Sequence, residues 1–403
     1  MAKNTQRTGS TKIKILFVLG YPNPFPGAGW TRIGFFAEDW SKKGHAVEVL
    51  GTFSYKPFYK KGVRKMSNIN IFNIIFNIGL RHPLIFILNA ITSFMGSILF
   101  LVSRKPDVAI VSVPTGDVGL GALMACRLTK TKCVVDYRDE WEDYAMSLAT
   151  SRVGRFFYSA VKKLATIIYA KSQLVTTVTP NLVDSLKSRG VVNVRLVPNG
   201  ADVRVFKPLT SKKKNRVFTL FYSGGIGYYY RLDVVVKALK RLVDNGLRDV
   251  KLVIAGEGEV QKILDLALKL DISDNIDYKG SISDKAELVR LINESDVGLI
   301  PYDDNPLWKN SLPAKFFEYC ACGIPVIATA YEDSLLAEFI RKYEIGVTSP
   351  PMDEEKLAEA IYYIYENESF RAAAGKRARL LIEEKFDRNK IAVEFLNLVR
   401  EFT

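Results

Sequence analysis

Along the 403-residue chain, short uninterrupted apolar runs bounded by glycine, proline or Asx residues alternate with stretches whose apolar positions recur three and four residues apart. The first pattern predicts buried strands and the second amphipathic helices. Strands are expected over residues 13–20, 46–53, 69–75, 107–113, 132–136, 174–178 and 194–197, and then over 217–222, 250–255, 276–278, 297–301 and 325–329. Helical periodicity fills the intervals, for example over 232–243 and 260–270. Regular strand–helix alternation points to the α/β class, here two doubly wound parallel sheets.

A chain of this length exceeds one ordinary core and suits two α/β domains. The best boundary is PNGADVRVFKPLTSKKKNR, residues 198–216, where turn residues and a basic run separate two strand-rich halves. The expected division is an N-terminal domain over 1–205, a second domain over 206–386 and a terminal helix within 387–403 that crosses back to the first.

Charge refines this picture. Residues 1–205 carry 28 Lys and Arg against 12 Asp and Glu, a balance of +16, whereas residues 206–403 balance at −2. Nucleic acid, an anionic bilayer or a pyrophosphate-bearing lipid would each suit that basic half. The stretch LIFILNAITSFMGSILFLV, residues 84–102, has no charge in 19 positions and is flanked by Arg81, Arg104 and Lys105. Its length admits a membrane span. Its polar residues Asn89, Thr92, Ser93 and Ser97 and the strand that follows at once favour a helix inserted at the membrane surface, with a buried core helix as the other reading. The first apolar stretch, IKILFVLG, is too short for a signal peptide, and MAKNTQRTGSTK before it reads as a disordered tail.

Few residues are available for nucleophilic or metal chemistry. Cys126, Cys133, Cys320 and Cys322 form no C-x-x-C pair, and His45 and His82 are the only histidines, so familiar zinc spacings and imidazole triads are absent. The cysteines read as reduced core residues and His45 as a structural residue in a turn. Asp303 and Asp304 are adjacent in a loop and read as solvated rather than metal-binding.

The segment 310–329, NSLPAKFFEYCACGIPVIAT, is more informative. Pro313 suits a first helical turn, whose free amides and positive dipole end attract an anion. Lys315 would place an ammonium near that anion, and Glu318, about one turn on, could accept from vicinal hydroxyls such as those of ribose. Two loops at strand ends add backbone that a ligand can approach closely: GYPNPFPGAGWTR, with Gly27 and Gly29, and SGGIG, with Gly224, Gly225 and Gly227, followed by three tyrosines and Arg231. Neither loop has the strict G-x-G-x-x-G form, which weighs against a nicotinamide dehydrogenase. For the tyrosines, packing against a neighbour is favoured over stacking on a ligand.

In order and spacing, the glycine-rich first loop, GHAVEV, PDVAI, DYRDEW, VPNGADVRVF, SGGIG, IAGEGE, DVGLIPY and PAKFFEYCACGIPVIA together resemble retaining glycosyltransferases of family 4 over nearly the whole chain. P-x-K-x-x-E-Y with D-x-R-D-x-W upstream looks most like the branch that builds surface polysaccharides on lipid carriers. The resemblance implies the GT-B architecture of two facing Rossmann-like domains. It implies transfer of a sugar from a nucleotide diphosphate donor, a UDP-sugar by expectation, to a lipid-linked or glycan acceptor with retention. No metal and no other cofactor is expected.

By the same resemblance, Gly224, Gly225, Gly227, Arg231, Asn310, Ser311, Leu312, Lys315 and Glu318 would bind the donor, with Lys315 and the glycine amides stabilising charge on the leaving phosphate. Gly27, Gly29, Trp30 and Arg32 would lie on the acceptor side, and Arg138 and Asp139 would position or deprotonate the acceptor. Asn310 replaces the first of the family's two glutamates, near the donor sugar's hydroxyls. The SGGIGYYYRL region also lacks the arginine and lysine that many relatives set against the diphosphate, leaving that charge to Lys315 and Arg231. The implied location is the cytoplasmic face of the cell membrane, with an anionic membrane surface as a partner and nucleic acid excluded. The rival readings are a non-catalytic nucleotide-sugar-binding or scaffold subunit of an envelope-assembly complex, a nucleotide-sugar epimerase on the same architecture, and a nucleic-acid binder supported by basicity alone.

Overall fold

The computed structural model describes residues 12–24, 27–54, 62–80, 82–209, 217–227 and 229–403, without the side chain of Ala28. Most of the expected N-terminal tail, Arg81, part of the expected linker and Tyr228 lie outside the described residues. The chain divides into two compact units, residues 1–197 with 392–403, and residues 198–391.

In chain order the first unit contains β1 (Lys14–Leu19), α1 (Ala28–Lys42), β2 (Ala46–Phe53), β3 (Gly62–Met66), β4 (Ile69–Phe76), α2 (Pro83–Arg104), β5 (Val108–Val113), α3 (Gly116–Leu128), β6 (Cys133–Tyr137), α4 (Trp141–Leu148), α5 (Arg152–Ala170), β7 (Leu174–Thr177), α6 (Pro180–Ser188) and β8 (Val194–Leu196). Its sheet runs β3-β4-β2-β1-β5-β6-β7-β8. Seven strands match the apolar runs within a residue or two. The exception is β3, GVRKM, which pairs antiparallel to β4, so the sheet is mixed rather than wholly parallel. Its mostly polar sequence sits at the sheet edge, where an apolar pattern is not required.

The second unit contains β9 (Phe218–Ser223), α7 (Leu232–Asp244), β10 (Val250–Ala255), α8 (Val260–Lys269), β11 (Ile276–Tyr278), α9 (Lys285–Asn293), β12 (Val297–Pro301), α10 (Ala314–Ala321), β13 (Val326–Thr329), α11 (Leu335–Lys342), β14 (Gly346–Ser349), α12 (Glu354–Glu366), α13 (Glu368–Lys385) and the start of α14 (Arg388–Arg400). Its sheet is parallel, in the order β11-β10-β9-β12-β13-β14. β14 lacks an apolar run and escapes the sequence reading. The conserved logic of an open α/β sheet places loop-borne chemistry at the carboxyl ends of β9, β10 and β12.

Residues 198–209 are not a free linker. Ala201 and Phe206 belong to the second unit's core, and Arg379 donates to the Phe206 and Val203 carbonyls at 2.7 and 3.2 Å. At the other end, the Ala392 carbonyl accepts from the Trp40 indole at 2.9 Å, and the Phe395 ring packs edge-on against Phe36 and Trp40. Aromatic burial therefore fixes the last helix within the first unit from Ala392 onward. All four cysteines are free and buried. His45 is buried with Nδ1 accepting from the Ile13 amide, and His82 caps α2 by accepting from Leu84.

Candidate active site

In the second unit, a short 3-10 turn (Pro306–Asn310) leads through Ser311 and the buried Leu312 to α10. Pro313 stands at the N-cap in extended conformation, one residue earlier than a first-turn position. Helical spacing then carries Lys315 and Glu318 along α10.

Lys315 is 5% exposed, and its Nζ has no hydrogen-bond partner. The ammonium lies 3.4 Å from the centre of the Tyr230 ring and 4.0 Å from that of Tyr222. It also adjoins the glycine loop, since a Cβ on Gly224 would stand 3.2 Å from it. Burial pushes the Lys315 pKa well below the ordinary lysine value, against the pull of the Glu318 charge. Cation–π contact compensates part of that cost, but an acceptor for the N–H groups is missing. Glu318 is half-buried, and desolvation raises its pKa while the charges of Arg388, Lys315 and Lys285 lower it.

The tyrosines form a stack under the lysine. Tyr230 lies on Tyr302 at 5.2 Å, Tyr302 on Trp308 at 5.5 Å, and Tyr229 meets Trp308 at 4.7 Å. Trp308 donates to Asp303, so this carboxylate orders the aromatic stack rather than simply facing water. Tyr319 receives the Ser223 amide at 2.8 Å and ties α10 to the end of β9.

The glycine loop corrects one expectation. The Gly224 amide donates to the Ala255 carbonyl at 2.9 Å, and the Ile226 amide to Glu257 at 2.7 Å, so the Gly224 N–H is already engaged and is not aimed at a ligand. The two loops run so close that a Cβ on Gly256 would stand 1.8 Å from the Gly224 oxygen. Gly225 faces open space and Gly227 lies against Glu259. Arg231 binds the Asp233 carboxylate at 2.6 and 2.8 Å, so its charge is shared with a neighbour, whereas Lys315 has no such partner. Asn310 ends the 3-10 turn.

The first unit gathers a different group. Arg138 and Asp139 follow β6, and the Arg138 guanidinium sits beside Gly29, where a Cβ would be 3.4 Å from its Nη2. Arg138 Nε is buried without a hydrogen-bond partner. Asp139 is exposed, yet desolvation by the surrounding protein pushes its carboxyl up to about 6; Arg138 opposes the shift, and Glu142 and Glu140 add to it. Gly27 precedes α1, and its carbonyl accepts from Thr31. The Trp30 indole lies back over Gly34 of its own helix.

Arg32 is turned into the protein rather than left open on the acceptor side. It is 3% exposed, pairs with Asp136 at 3.0 Å and donates to the Val197 carbonyl at 2.8 Å. Asp136 also accepts from Thr176, so Arg32 neutralises a buried carboxylate in the middle of the sheet. Of the aromatic cage the sequence flags the tyrosines after the glycine loop, but not Tyr302 or Trp308, and it does not flag Arg388. The run YYYR at 228–231 is the only local signal for the cage; Arg388 is one charge among many on a helix.

Residues 206–381 match the family model of glycosyl transferases group 1. Among solved structures, sucrose-phosphate synthase from Thermosynechococcus elongatus superposes with TM-score 0.78 at 16% identity, covering 97% of this chain and 99% of that one. Anabaena HepE in complex with UDP-glucose gives 0.71 at 14%, covering 96% and 100%. WaaG, a glycosyltransferase involved in lipopolysaccharide biosynthesis, gives 0.69 at 15%, covering 95% and 99%. No curated protein sequence matches. The chain thus has the fold of these proteins. Its second unit carries the group 1 family match, and the fold likeness extends over both units.

Proposed function

We propose that the protein transfers a sugar from a nucleotide diphosphate donor, a UDP-sugar, to a lipid-linked or glycan acceptor with retention at the anomeric carbon. The observation that carries this reading is Lys315: a buried ammonium with no hydrogen-bond acceptor, at the head of α10 and beside Gly224. A diphosphate supplies the missing acceptor oxygens. The UDP-glucose held by Anabaena HepE supports the choice of nucleotide.

In the transfer, the bond from the anomeric carbon to the β-phosphate oxygen breaks and a bond to an acceptor hydroxyl oxygen forms. Lys315 stabilises negative charge developing on the departing phosphate, an electrostatic contribution that requires no metal. Glu318 accepts from the ribose hydroxyls, and Ser311, Leu312 and Asn310 border the donor, with Asn310 toward the sugar. Gly225 and Gly227 leave room for the diphosphate. Arg138 and Asp139 position the acceptor hydroxyl, with Gly27, Gly29 and Trp30 on the acceptor side, and the hydroxyl proton passes to the leaving phosphate oxygen. Cell-surface glycan synthesis is the setting this chemistry suits.

The test is calorimetric titration with nucleoside diphosphates and their sugars, with and without chelator, followed by NMR assignment of the product anomer. Binding of UDP that is lost in Lys315→Ala supports the donor site. A protein that binds the nucleotide sugar but turns over no acceptor would be a binding or scaffold subunit, and an inverted product would remove retention.

A further inference from the structure

The helix α2 buries Phe100 and Leu101 in the core, yet its polar side chains also turn inward and a row of large apolar ones turns outward. Its polar residues Asn89, Ser93 and Ser97, four apart, are all buried, whereas Leu84, Leu88, Ile91, Met95 and Leu99 are exposed. The polar stripe is held by specific bonds. Asn89 donates to Asp117 at 2.7 Å and to the Ile78 carbonyl at 3.0 Å, and Ser93 donates to the Val118 carbonyl at 2.7 Å. α3 approaches so closely that a Cβ on Gly121 would stand 2.3 Å from the Ala90 oxygen. These contacts fix the rotation of α2 about its axis, so its apolar face cannot turn inward.

A helix facing water would present the opposite pattern, and an exposed apolar surface of this extent marks an interaction site. α5 continues the surface. It meets the start of α2 where Phe86 packs edge-on against Phe157 and Tyr158. Its outward residues Val153, Phe156, Leu164 and Ile167 are interleaved with exposed Arg152, Arg155 and Lys163. Neither helix contains an acidic residue.

We infer that α2 and α5 form a docking surface for an anionic lipid bilayer, with α2 lying in the plane of the interface. Polar residues bonded within the protein and a continuous row of large apolar residues facing outward are the arrangement that lipid favours. The cations among the apolar side chains select an anionic surface over a neutral one or over a second copy of this basic unit, whose charges would repel. A lone membrane span does not fit this packing. The strands before and after α2, β4 and β5, lie in one sheet, and the helix packs along α3 and β4 of the same unit, so one of its faces is covered by protein. This surface is independent of the transferase reading, because it needs no sugar substrate.

Flotation of the full chain with vesicles of phosphatidylcholine, alone or mixed with phosphatidylglycerol, tests the inference. The protein should float with the mixed vesicles. L84Q/L88Q/I91Q/L99Q should lower the bound fraction at least about tenfold. R152E/R155E/K163E should abolish the preference for phosphatidylglycerol, each basic residue being worth about a fivefold change in partition. Leu268→Gln, at an equally exposed position on α8, should float as the wild type does. The charge variant lies on a different helix and decides the matter should the α2 variant fail to fold. Wild-type protein that stays unbound, variants that float undiminished, or a wild-type dimer in light scattering that the α2 variant makes monomeric would each overturn it.

Discussion

The Lys315 ammonium lies 3.4 Å from the centre of the Tyr230 ring, buried and without a hydrogen-bond acceptor. A cation held against aromatic faces at the head of a helix, with no acceptor from the protein, is the observation on which the proposed diphosphate site rests. Its environment therefore makes the protein without ligand less stable than it could be and the ligand complex correspondingly tighter.

Lys315→Met should separate those two effects. Loss of charge-assisted hydrogen bonds to a diphosphate should weaken UDP binding by about 1.5–3 kcal/mol, roughly ten- to a hundredfold. Without nucleotide, the thermal midpoint should hold or rise, because an uncompensated buried charge has gone. Calorimetry and thermal unfolding on the same preparation check both, and UDP affinity equal to wild type would remove the diphosphate assignment.

The pH dependence has a defined sign. Burial lowers the folded-state pKa of Lys315, so between that value and the ordinary lysine pKa the unfolded chain binds the proton and the folded chain does not. Stability without nucleotide should rise with pH through this window, relative to Lys315→Met, while UDP affinity falls because the diphosphate needs the charged form. Chemical denaturation and titration across alkaline pH measure the two trends.

Asp139, with its carboxyl pushed up to about 6, should give a transfer rate that rises with pH through about 6 as the carboxylate forms. Asp139→Asn should remove that limb and lower the rate. Its stability contribution runs the other way, being fully present below the unfolded aspartate value and lost as pH rises through about 6. A pH–rate profile that is unchanged in Asp139→Asn would exclude the residue from acceptor chemistry.

Arg32→Ala should act on folding. Removing the cation strands the buried Asp136 and should destabilise the first unit by about 3–5 kcal/mol in denaturant titration. Arg32→Ala/Asp136→Asn should recover part of the loss. A folded, fully stable single variant with a raised acceptor KM would instead return Arg32 to the acceptor side.

Glu318→Gln should weaken binding of UDP more than that of the corresponding 2′,3′-dideoxy nucleotide, since only the former offers vicinal hydroxyls to the carboxylate. Equal losses for both, in a competition titration, would count against ribose contact.

Sequence by itself determined the α/β class, all but two of the strands, and the helix that carries Lys315 and Glu318. Apolar runs and helical spacing report which faces are buried, and that information is local. Helical periodicity alone puts Lys315 and Glu318 on one side of α10. What the sequence left open is the choice of partner for each polar group. Gly224 bonds to a neighbouring loop, Arg231 to Asp233 and Arg32 to Asp136 because chain segments distant in sequence or turned by the loop arrive beside them. The same holds for α2, an apolar run whose composition favoured a membrane-surface helix and left a core helix open. Only its bonds to Asp117 and Val118, and the missing side chain at Gly121, turn its apolar face outward. The polar satisfaction of a buried surface is a tertiary property, and here it decides the orientation of both the site and the helix.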